Sequence, residues 1–495
     1  MSIAKCYSAQ LVGLSIEVVT VEVDISNGLN AVSIVGLGDR AVEEAKDRVS
    51  AAIKNSGYVS PKQKNQKVVI SLAPAHARKE GPSFDLAIAV SYLMASGDIQ
   101  DGSEASLFLG ELSLEGKVRP VSGILPLMCQ AKSRGFKTVF IPKDNSEEAS
   151  LYADIEVFAI DSLSEIISAL NGRSSIEPLK PREIDEQAAG NLQAPDMRTI
   201  RGNEMAKRGL EIAAAGAHNI LMFGPAGTGK TMLAQSLPSI LPTLSQEEAI
   251  EVTGIHSAAN VLRSGLVRHP PFRAPHHTAS YPSIVGGGAF PHPGEITLAH
   301  RGILFMDEFP EFDRTVIEAL RQPLEERSIT VSRATGSVTF PAQCILVASM
   351  NPCPCGKGRN NGCDCREHLV RTYRRRISGP ILDRLDIWVN VSKIDYEKLA
   401  EKCSLSEPSA AIKARVANAR KIQLDRFRSF GLKKRFNSEM DADDIERCVQ
   451  ITDNARKTAK VAGQKLSLSG RSFHRVIKVA RTLADLACVE VIQQR

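Results

Sequence analysis

The chain has 495 residues, 43% hydrophobic and 24% charged, the balance of an ordinary globular protein too long for one core, so about three domains are expected. No run of about 18 apolar residues occurs, which excludes a helical membrane span, and the start MSIAKCYSAQ lacks the charged-then-apolar layout of a secretion signal, so a cytoplasmic location without a membrane partner is expected. A formal net charge of +6 permits a nucleic-acid partner without requiring one. The charge is uneven. Arg366, Arg371, Arg374, Arg375 and Arg376 form one basic cluster. Lys413, Arg415, Arg420, Lys421, Arg426, Arg428, Lys433, Lys434 and Arg435 form a second, which reads equally as a solvated helix face or a nucleic-acid contact. Of ten cysteines, four are bunched at Cys353, Cys355, Cys363 and Cys365, a pattern that in a reducing compartment suggests a metal more than a disulfide.

Residues 1–171 alternate strand and helix signals. Glu17–Val23, Ala31–Val35 and Val68–Leu72 have strand patterning, Val42–Ile53 is amphipathic after the Gly36-Leu37-Gly38 turn, and Phe84–Met94 is a mostly apolar helix, so an α/β domain with its own core is expected. The segments GPSFDLAIA (81–89), GELSLEGKVRPVSGILPL (110–127) and GFKTVFIPKDN (135–145) resemble, in the same order, the proteolytic domain of Lon protease, with its ribosomal S5 domain 2-like fold. In that family the serine of the G-P-S turn is the nucleophile, and a lysine following the G-E-x-x-L-x-G-x-V segment is its general base. Ser83 takes the serine position, but the lysine position falls at or beside Leu127, and Lys117 and Lys132 lie off the pattern. A serine without a base is a poor nucleophile, so Ser83 is expected to cap the helix that follows and the domain to be a non-proteolytic scaffold. Residues 172–195 mix Pro, Ser and charge without apolar period and read as a linker.

Residues 196–395 carry the nucleotide chemistry. Gly224, Pro225, Ala226, Gly227, Thr228, Gly229, Lys230 and Thr231 read GPAGTGKT, the phosphate-loop pattern G-x-x-x-x-G-K-[ST], between the apolar strand Ile220–Phe223 and a helix. The glycines let backbone N–H groups turn toward an anion, Lys230 can reach the β and γ phosphates of a nucleoside triphosphate, and Thr231 can hold Mg²⁺. Downstream, the apolar run 302–306 ends in Asp307 and Glu308: the first carboxylate suits Mg²⁺, the second the polarisation of an attacking water. Gln343–Ser349 is another apolar strand, and Asn351 at its tip is placed to orient that water. The run CPCGKGRNNGCDC follows. Its two C-x-C pairs can converge four thiolates on a tetrahedral Zn²⁺, which is expected in preference to free thiols. His276 and His277, in the Gly/Pro-rich stretch 269–299, are expected to point apart and to pack or hydrogen-bond within it, while 329–340 reads as a hairpin turning near Thr335-Gly336.

Together these features resemble the AAA+ ATPases. Over essentially the whole chain the resemblance narrows to magnesium-chelatase-type proteins, most closely the ComM (YifB-type) helicases, on VGLGDRAVEEAKDRV, PFRAPHHTASYPSIVGGGAFPHPGEITLAHRGILFMDEFPEF and LSGRSFHRVIKVARTLADL. The resemblance implies ATP as the nucleotide, a hexameric ring, DNA (single-stranded and branched) as partner, and a helical lid over the nucleotide at 396–495. Arg384 in GPILDRLD matches the family's arginine finger, which reaches the γ phosphate of the neighbouring subunit. Arg471 matches the sensor-2 arginine, with Arg475 one turn on as the alternative. The stretch 269–299 and the hairpin lie where this family places inserts that can project into a pore, and Arg333 is the candidate phosphate contact there. The lid is expected to contain helices at 411–427, 441–462 and 473–492, the last with Phe473, Val476, Ile477, Ala480, Leu483 and Ala487 on one face. The fold class is thus α/β: a Lon-like domain, a P-loop module and a helical lid. The function implied is an ATP-driven DNA motor, a helicase or branch-migration factor in recombination of incoming DNA during natural transformation. The ATPase subunit of a magnesium chelatase is the alternative, and Leu127 disfavours an ATP-dependent protease.

Overall fold

A computed structural model describes residues 2–75, 77–100, 105–152, 154–182, 194–262, 265–288, 291–333, 336–358, 362–393 and 407–494. The chain divides into two compact units. The first is Met1–Gln187 with Ala249–Val267 and Phe290–His292; the second is Ala188–Glu248 with Arg268–Ala289 and Pro293–Arg495.

The first unit is built on a seven-stranded mixed sheet. Its strands are β1 (Ser2–Val12), β2 (Ser15–Asn27), β3 (Ala31–Val35), β4 (Gln66–Ala73), β5 (Ser106–Phe108), β6 (Thr138–Pro142) and β7 (Glu156–Ile160), in the order β7-β6-β5-β1-β2-β4-β3. Period-2 alternation drives this: Val19, Val21 and Val23 on β2 are fully buried, as are Val68 and Leu72 on β4, with their neighbours turned outward. Helices α1 (Arg40–Asn55), α2 (Asp85–Ala95) and α4 (Leu163–Leu170) add their apolar sides to the same core. Ser83 does not cap α2. The N-cap is Phe84 and no side chain accepts there, because the turn is closed instead by the Gly110 N–H donating to the Ser83 carbonyl at 3.1 Å. Leu127 sits in helix α3 (Ile124–Ala131), buried among Ile124, Met128 and Ile141, so the position that resembles the Lon base is part of an apolar core.

Charge enters this core at Asp85. Asp85, fully buried, takes both Arg48 donors at 2.7 and 3.0 Å and the Leu112 N–H at 3.2 Å. Burial nevertheless pushes its carboxyl up to about 6, against the pull of Arg48. A folded-state value above the ordinary 3.8 means the fold prefers the protonated form, so this group's contribution to stability falls as pH rises from about 4 through 6. Arg48→Ala strands the carboxylate, and a loss of about 3 kcal/mol in urea unfolding at pH 7.5 is expected. The loss should shrink below pH 6, where Asp85 is accommodated neutral; a loss independent of pH would refute this account.

The second unit holds a five-stranded sheet: β8 (Ile220–Phe223), β9 (Phe272–Arg273), β10 (Ile303–Met306), β13 (Ile345–Met350) and β14 (Ile387–Asn390), all parallel, in the order β9-β10-β13-β8-β14. Between β10 and β13 lie helix α7 (Arg321–Glu326) and a separate antiparallel hairpin, β11 (Ser328–Arg333) and β12 (Gly336–Pro341). Strands covered on both faces read as unbroken apolar runs, which is why ILMF and ILFM were legible as strands. Helices α5 (Glu204–Gly216) and α6 (Lys230–Ile240) flank the sheet, and α8 (Glu367–Arg375) follows the cysteine run. Two long C-terminal helices, α9 (Ser409–Ser429) and α10 (Gly470–Leu486), join the same core through Ile412, Val416, Ala419 and Leu486.

Two lid expectations need correcting. The stretch 441–462 is not one helix: Ala442–Cys448 and Asp453–Lys465 are separated where the Thr452 hydroxyl caps the Ala455 N–H and Ile451 bridges Ile492. Helix α10 ends at Leu486, and its buried side is not the apolar stripe, since Val476 and Leu483 are 47% and 38% exposed. It buries Ile477, Arg481, Thr482, Asp485 and Leu486, because a polar network lies beneath it. Asp485 accepts from Arg481 at 3.2 Å, from Asn437 at 2.8 Å and from Arg426, while Thr482 meets His218 Nε2 at 2.8 Å.

Candidate functional site

Because the strands of the second unit are parallel, the chain leaves β8, β10 and β13 at the same edge, and β13 lies between the other two. That edge collects the groups read from the sequence. Gly224 opens the phosphate loop where only hydrogen fits: a Cβ there would lie 2.0 Å from the Val391 carbonyl oxygen. The loop ends at Gly229, with φ of +88°, and α6 begins at Lys230. The Lys230 ammonium donates to the Gly224 carbonyl at 2.7 Å, the Pro225 carbonyl at 2.8 Å and Asn351 Oδ1 at 3.0 Å. Burial lowers its pKa, with Asp307 and Glu308 opposing. The Thr231 hydroxyl donates to Asp307 Oδ2 at 2.8 Å, and the Ser349 hydroxyl donates to the other Asp307 oxygen. The candidate Mg²⁺ ligands Thr231 and Asp307 are thus in direct contact, in an all-oxygen set that suits a hard cation.

Glu308 follows with φ of +51°, and its backbone N–H donates to Asp307 Oδ1 at 3.0 Å. Its carboxylate lies 3.7 Å from His277 Nδ1. The two histidines do not point apart as expected. Their chain segment is not regular structure, so the rings lie side by side with centroids 4.1 Å apart and planes tilted by 33°; His276 bonds Thr278 at 2.8 Å and His277 reaches Glu308.

The two arginines are brought together elsewhere. Arg384 pairs with Glu325 rather than with Asp383 or Asp386, and its Nη1 donates to the Pro380 carbonyl at 2.6 Å. Arg471 lies 3.9 Å from the same carboxylate. Both line a cleft of about 670 Å³ with Arg475 and Lys478, and no phosphate-loop residue lines it. Arg471 therefore stands with Arg384, not over Lys230 of its own chain. The candidate Arg333 ends β11, paired with Gly336 across a two-residue connection; its side chain, and the turn residue Thr335, lie outside the described residues.

The four cysteine sulfurs lie within 4.8 Å of one another, with Cys353–Cys355, Cys363–Cys353 and Cys355–Cys363 at 3.3, 3.4 and 3.5 Å. A tetrahedral zinc at about 2.3 Å from each sulfur needs S···S edges of about 3.8 Å, so the cluster fits with small adjustment. Backbone N–H groups of Gly358 and Cys365 point at Cys353 and Cys363, and the Lys357 N–H, with Cys353, pulls the Cys355 thiol down to about 6. This loop also touches the phosphate loop. The Ala226 N–H donates to the Gly356 carbonyl at 3.0 Å.

Comparison with known proteins agrees with this geometry. Family models match almost end to end: "Subunit ChlI of Mg-chelatase" over residues 21–145, "Magnesium chelatase, subunit ChlI" over 196–399 and its C-terminal part over 406–495. Competence protein ComM of Haemophilus influenzae is 40% identical over 98% of this chain and 94% of its own length. The chain belongs to the ComM/YifB family of magnesium-chelatase-type ATPases. An uncharacterized protein YifB of Salmonella typhimurium is also 40% identical, over 100% of this chain and 96% of its own. Lon protease 1 of Syntrophobacter fumaroxidans is 26% identical over 36% of this chain and 22% of its own.

Sequence reasoning missed several residues. Ser349 is hidden inside an apolar strand yet holds Asp307. Asn203, with φ of +53°, accepts from the Ser392 N–H at 3.2 Å and donates to the Thr228 carbonyl at 3.4 Å, bracing the phosphate loop. The second basic cluster is largely structural: Arg415 pairs with Glu211, Arg420 donates to the Ala214 carbonyl, Arg426 binds Asp485, Lys434 binds Asp441 and Arg435 binds Glu248. Among the described residues no helix is long and apolar enough to cross a membrane.

The contact between the two loops is testable. Gly356 has φ of +78°, and a Cβ there would lie 3.1 Å from the Ala226 Cβ. Gly356→Ala therefore strains the turn and pushes on the phosphate loop, and about a tenfold rise in Kd for a fluorescent ATP analogue is expected, with thermal stability nearly retained. Unchanged affinity would show that the contact does not matter for binding.

Proposed function

We propose that this chain is the subunit of a cytoplasmic, hexameric, ATP-driven DNA motor acting in recombination of incoming DNA. One observation carries the reading: the hydrolytic groups fall into two separate sets within one chain. Lys230, Thr231, Asp307, Glu308 and Asn351 meet at the sheet edge, while Arg384 and Arg471 share a different cleft. A site so divided is complete only when a second copy supplies the arginines, as a ring does. Full-length similarity to a competence protein supports placing the motor on incoming DNA, as a helicase or branch-migration factor.

In such a ring the residues divide the work. Lys230, released from the Gly224 and Pro225 carbonyls, neutralises the β and γ phosphates; the loop N–H groups hold them. Thr231 and Asp307 would hold Mg²⁺, which when bound supplies charge neutralisation at the phosphates. Glu308 takes the proton of the attacking water, which Asn351 orients. Arg384 and Arg471 of the neighbour stabilise charge on the transferred group, a task suited to a group that stays protonated and forks toward oxygen pairs. The family models also carry the chelatase name, which keeps an ATPase subunit of a metal chelatase as the second reading.

Glu308→Gln is expected to bind ATP and lose hydrolysis by about 100-fold or more, and Lys230→Ala to lose binding. For the wild type, single-stranded DNA should raise ATPase and a four-way junction should migrate. Absence of both effects would remove the motor reading and leave the chelatase one.

The four cysteines are proposed to hold zinc, bracing the turn at Gly356 against the phosphate loop. Elemental analysis should find stoichiometric zinc, lost in Cys355→Ser with Cys363→Ser. Wild-type protein purified without chelator and free of metal would end this proposal.

A further inference from the structure

The cleft that holds the two arginines is also lined by a carboxylate of their own chain, Glu325. Glu325 stands at the end of α7, just before the hairpin. One of its oxygens meets Arg384 Nη2 and the other is 3.9 Å from Arg471 Nη2. Its own carboxylate is half exposed and held below the usual carboxylate range, mainly by the hydrogen bond from Arg384. The fit is incomplete. Arg384 is mostly buried and its Nε finds no partner among the described residues; Arg475, one turn beyond Arg471, also has a buried Nε without one among them, although its other nitrogens bond the Leu385 carbonyl at 3.0 Å and Ser472 at 2.9 Å.

A single carboxylate carries one charge and two oxygens. Shared between two guanidiniums, it leaves positive charge uncompensated and donors unsatisfied. A terminal phosphate brings more charge and three oxygens, so it satisfies the same donors better. We propose that Glu325 is a latch: its carboxylate occupies the phosphate receptor formed by Arg384 and Arg471 until the terminal phosphate of a nucleotide on the neighbouring subunit displaces it. Glu325 is then a positioning residue that sets the subunit concentration at which hydrolysis begins. This rests on the reading that both arginines act on the neighbour's nucleotide.

The test is a titration of full-length protein at saturating ATP, reading ATPase per subunit. In Glu325→Gln the carboxamide keeps the shape but not the charge, and the concentration for half-maximal ATPase should fall about fivefold. Glu325→Asp, which restores the charge, should move it back toward the wild type. A half-maximal concentration that is unchanged or raised in Glu325→Gln, or a maximal rate lowered tenfold, overturns the latch and makes Glu325 a support that the arginines need. A separate arm tests the underlying reading: Lys230→Ala and Arg384→Ala proteins, each inactive alone, should recover ATPase when mixed, since some interfaces then combine an intact phosphate loop with an intact arginine. No recovery overturns action across subunits, whatever Glu325→Gln does.

Discussion

The parallel order of five short strands is the constraint on which the second unit depends. It brings three chain segments, drawn from along residues 220–351, to one edge with β13 in the middle. From that middle position Ser349 fixes Asp307 on one side and Asn351 fixes Lys230 on the other. Lys230 illustrates what the arrangement achieves. Its ammonium is buried and its charge is met by two loop carbonyls and an amide, none of which is charged, so it is held without being neutralised. An incoming polyphosphate offers what those partners lack, and the exchange is favourable because no full ion pair is broken.

The loops beyond the edge extend this logic. Neighbouring chain at each catalytic position is used as a brace: Asn203 for the phosphate loop, the cysteine turn at Gly356 for its tip, and His277 for Glu308. The last lies in the Gly/Pro-rich stretch, so whatever engages that stretch has a direct polar connection to Glu308. The cysteine turn similarly makes the conformation of four thiolates, and of any metal they hold, felt at Ala226.

How much of this was legible follows from where the information resides. The phosphate loop, the acidic pair and the apolar strands are local patterns whose chemistry demands particular residues at fixed spacing, and each lies where the pattern places it. The Asp307 support from Ser349 was invisible, because a serine in a buried strand carries no signal of what it faces. The histidine pair was misread by assuming regular backbone. Helix α10 departs from its pattern for a different reason: its apolar stripe predicts the buried side, but the helix covers His218, Asn437 and Arg426, and a polar layer recruits Arg481 and Asp485 inward. Burial of charge requires partners that are distant in sequence, here 59 residues apart for Arg426 and Asp485, and no local window reveals them.

That same polar layer bears on the proposed motor. A lid that swings against its own module needs a weak joint between them. Here His218, two residues before β8, is bonded to Thr482 on α10 and to Asp386, which directly precedes β14. Leu486 and the α9 residues Ile412 and Val416 share the core of the sheet. Swinging α10 would expose the buried Arg481 and Asp485 pair and break this joint, at a cost of several kcal/mol. Arg471 and Arg475 ride on the first turns of that anchored helix, so they move with the sheet that carries the phosphate loop of their own chain. In the ring proposed above, a change at the neighbour's terminal phosphate would be transmitted through α10 to the whole unit, and the joint to give way would be the one between subunits.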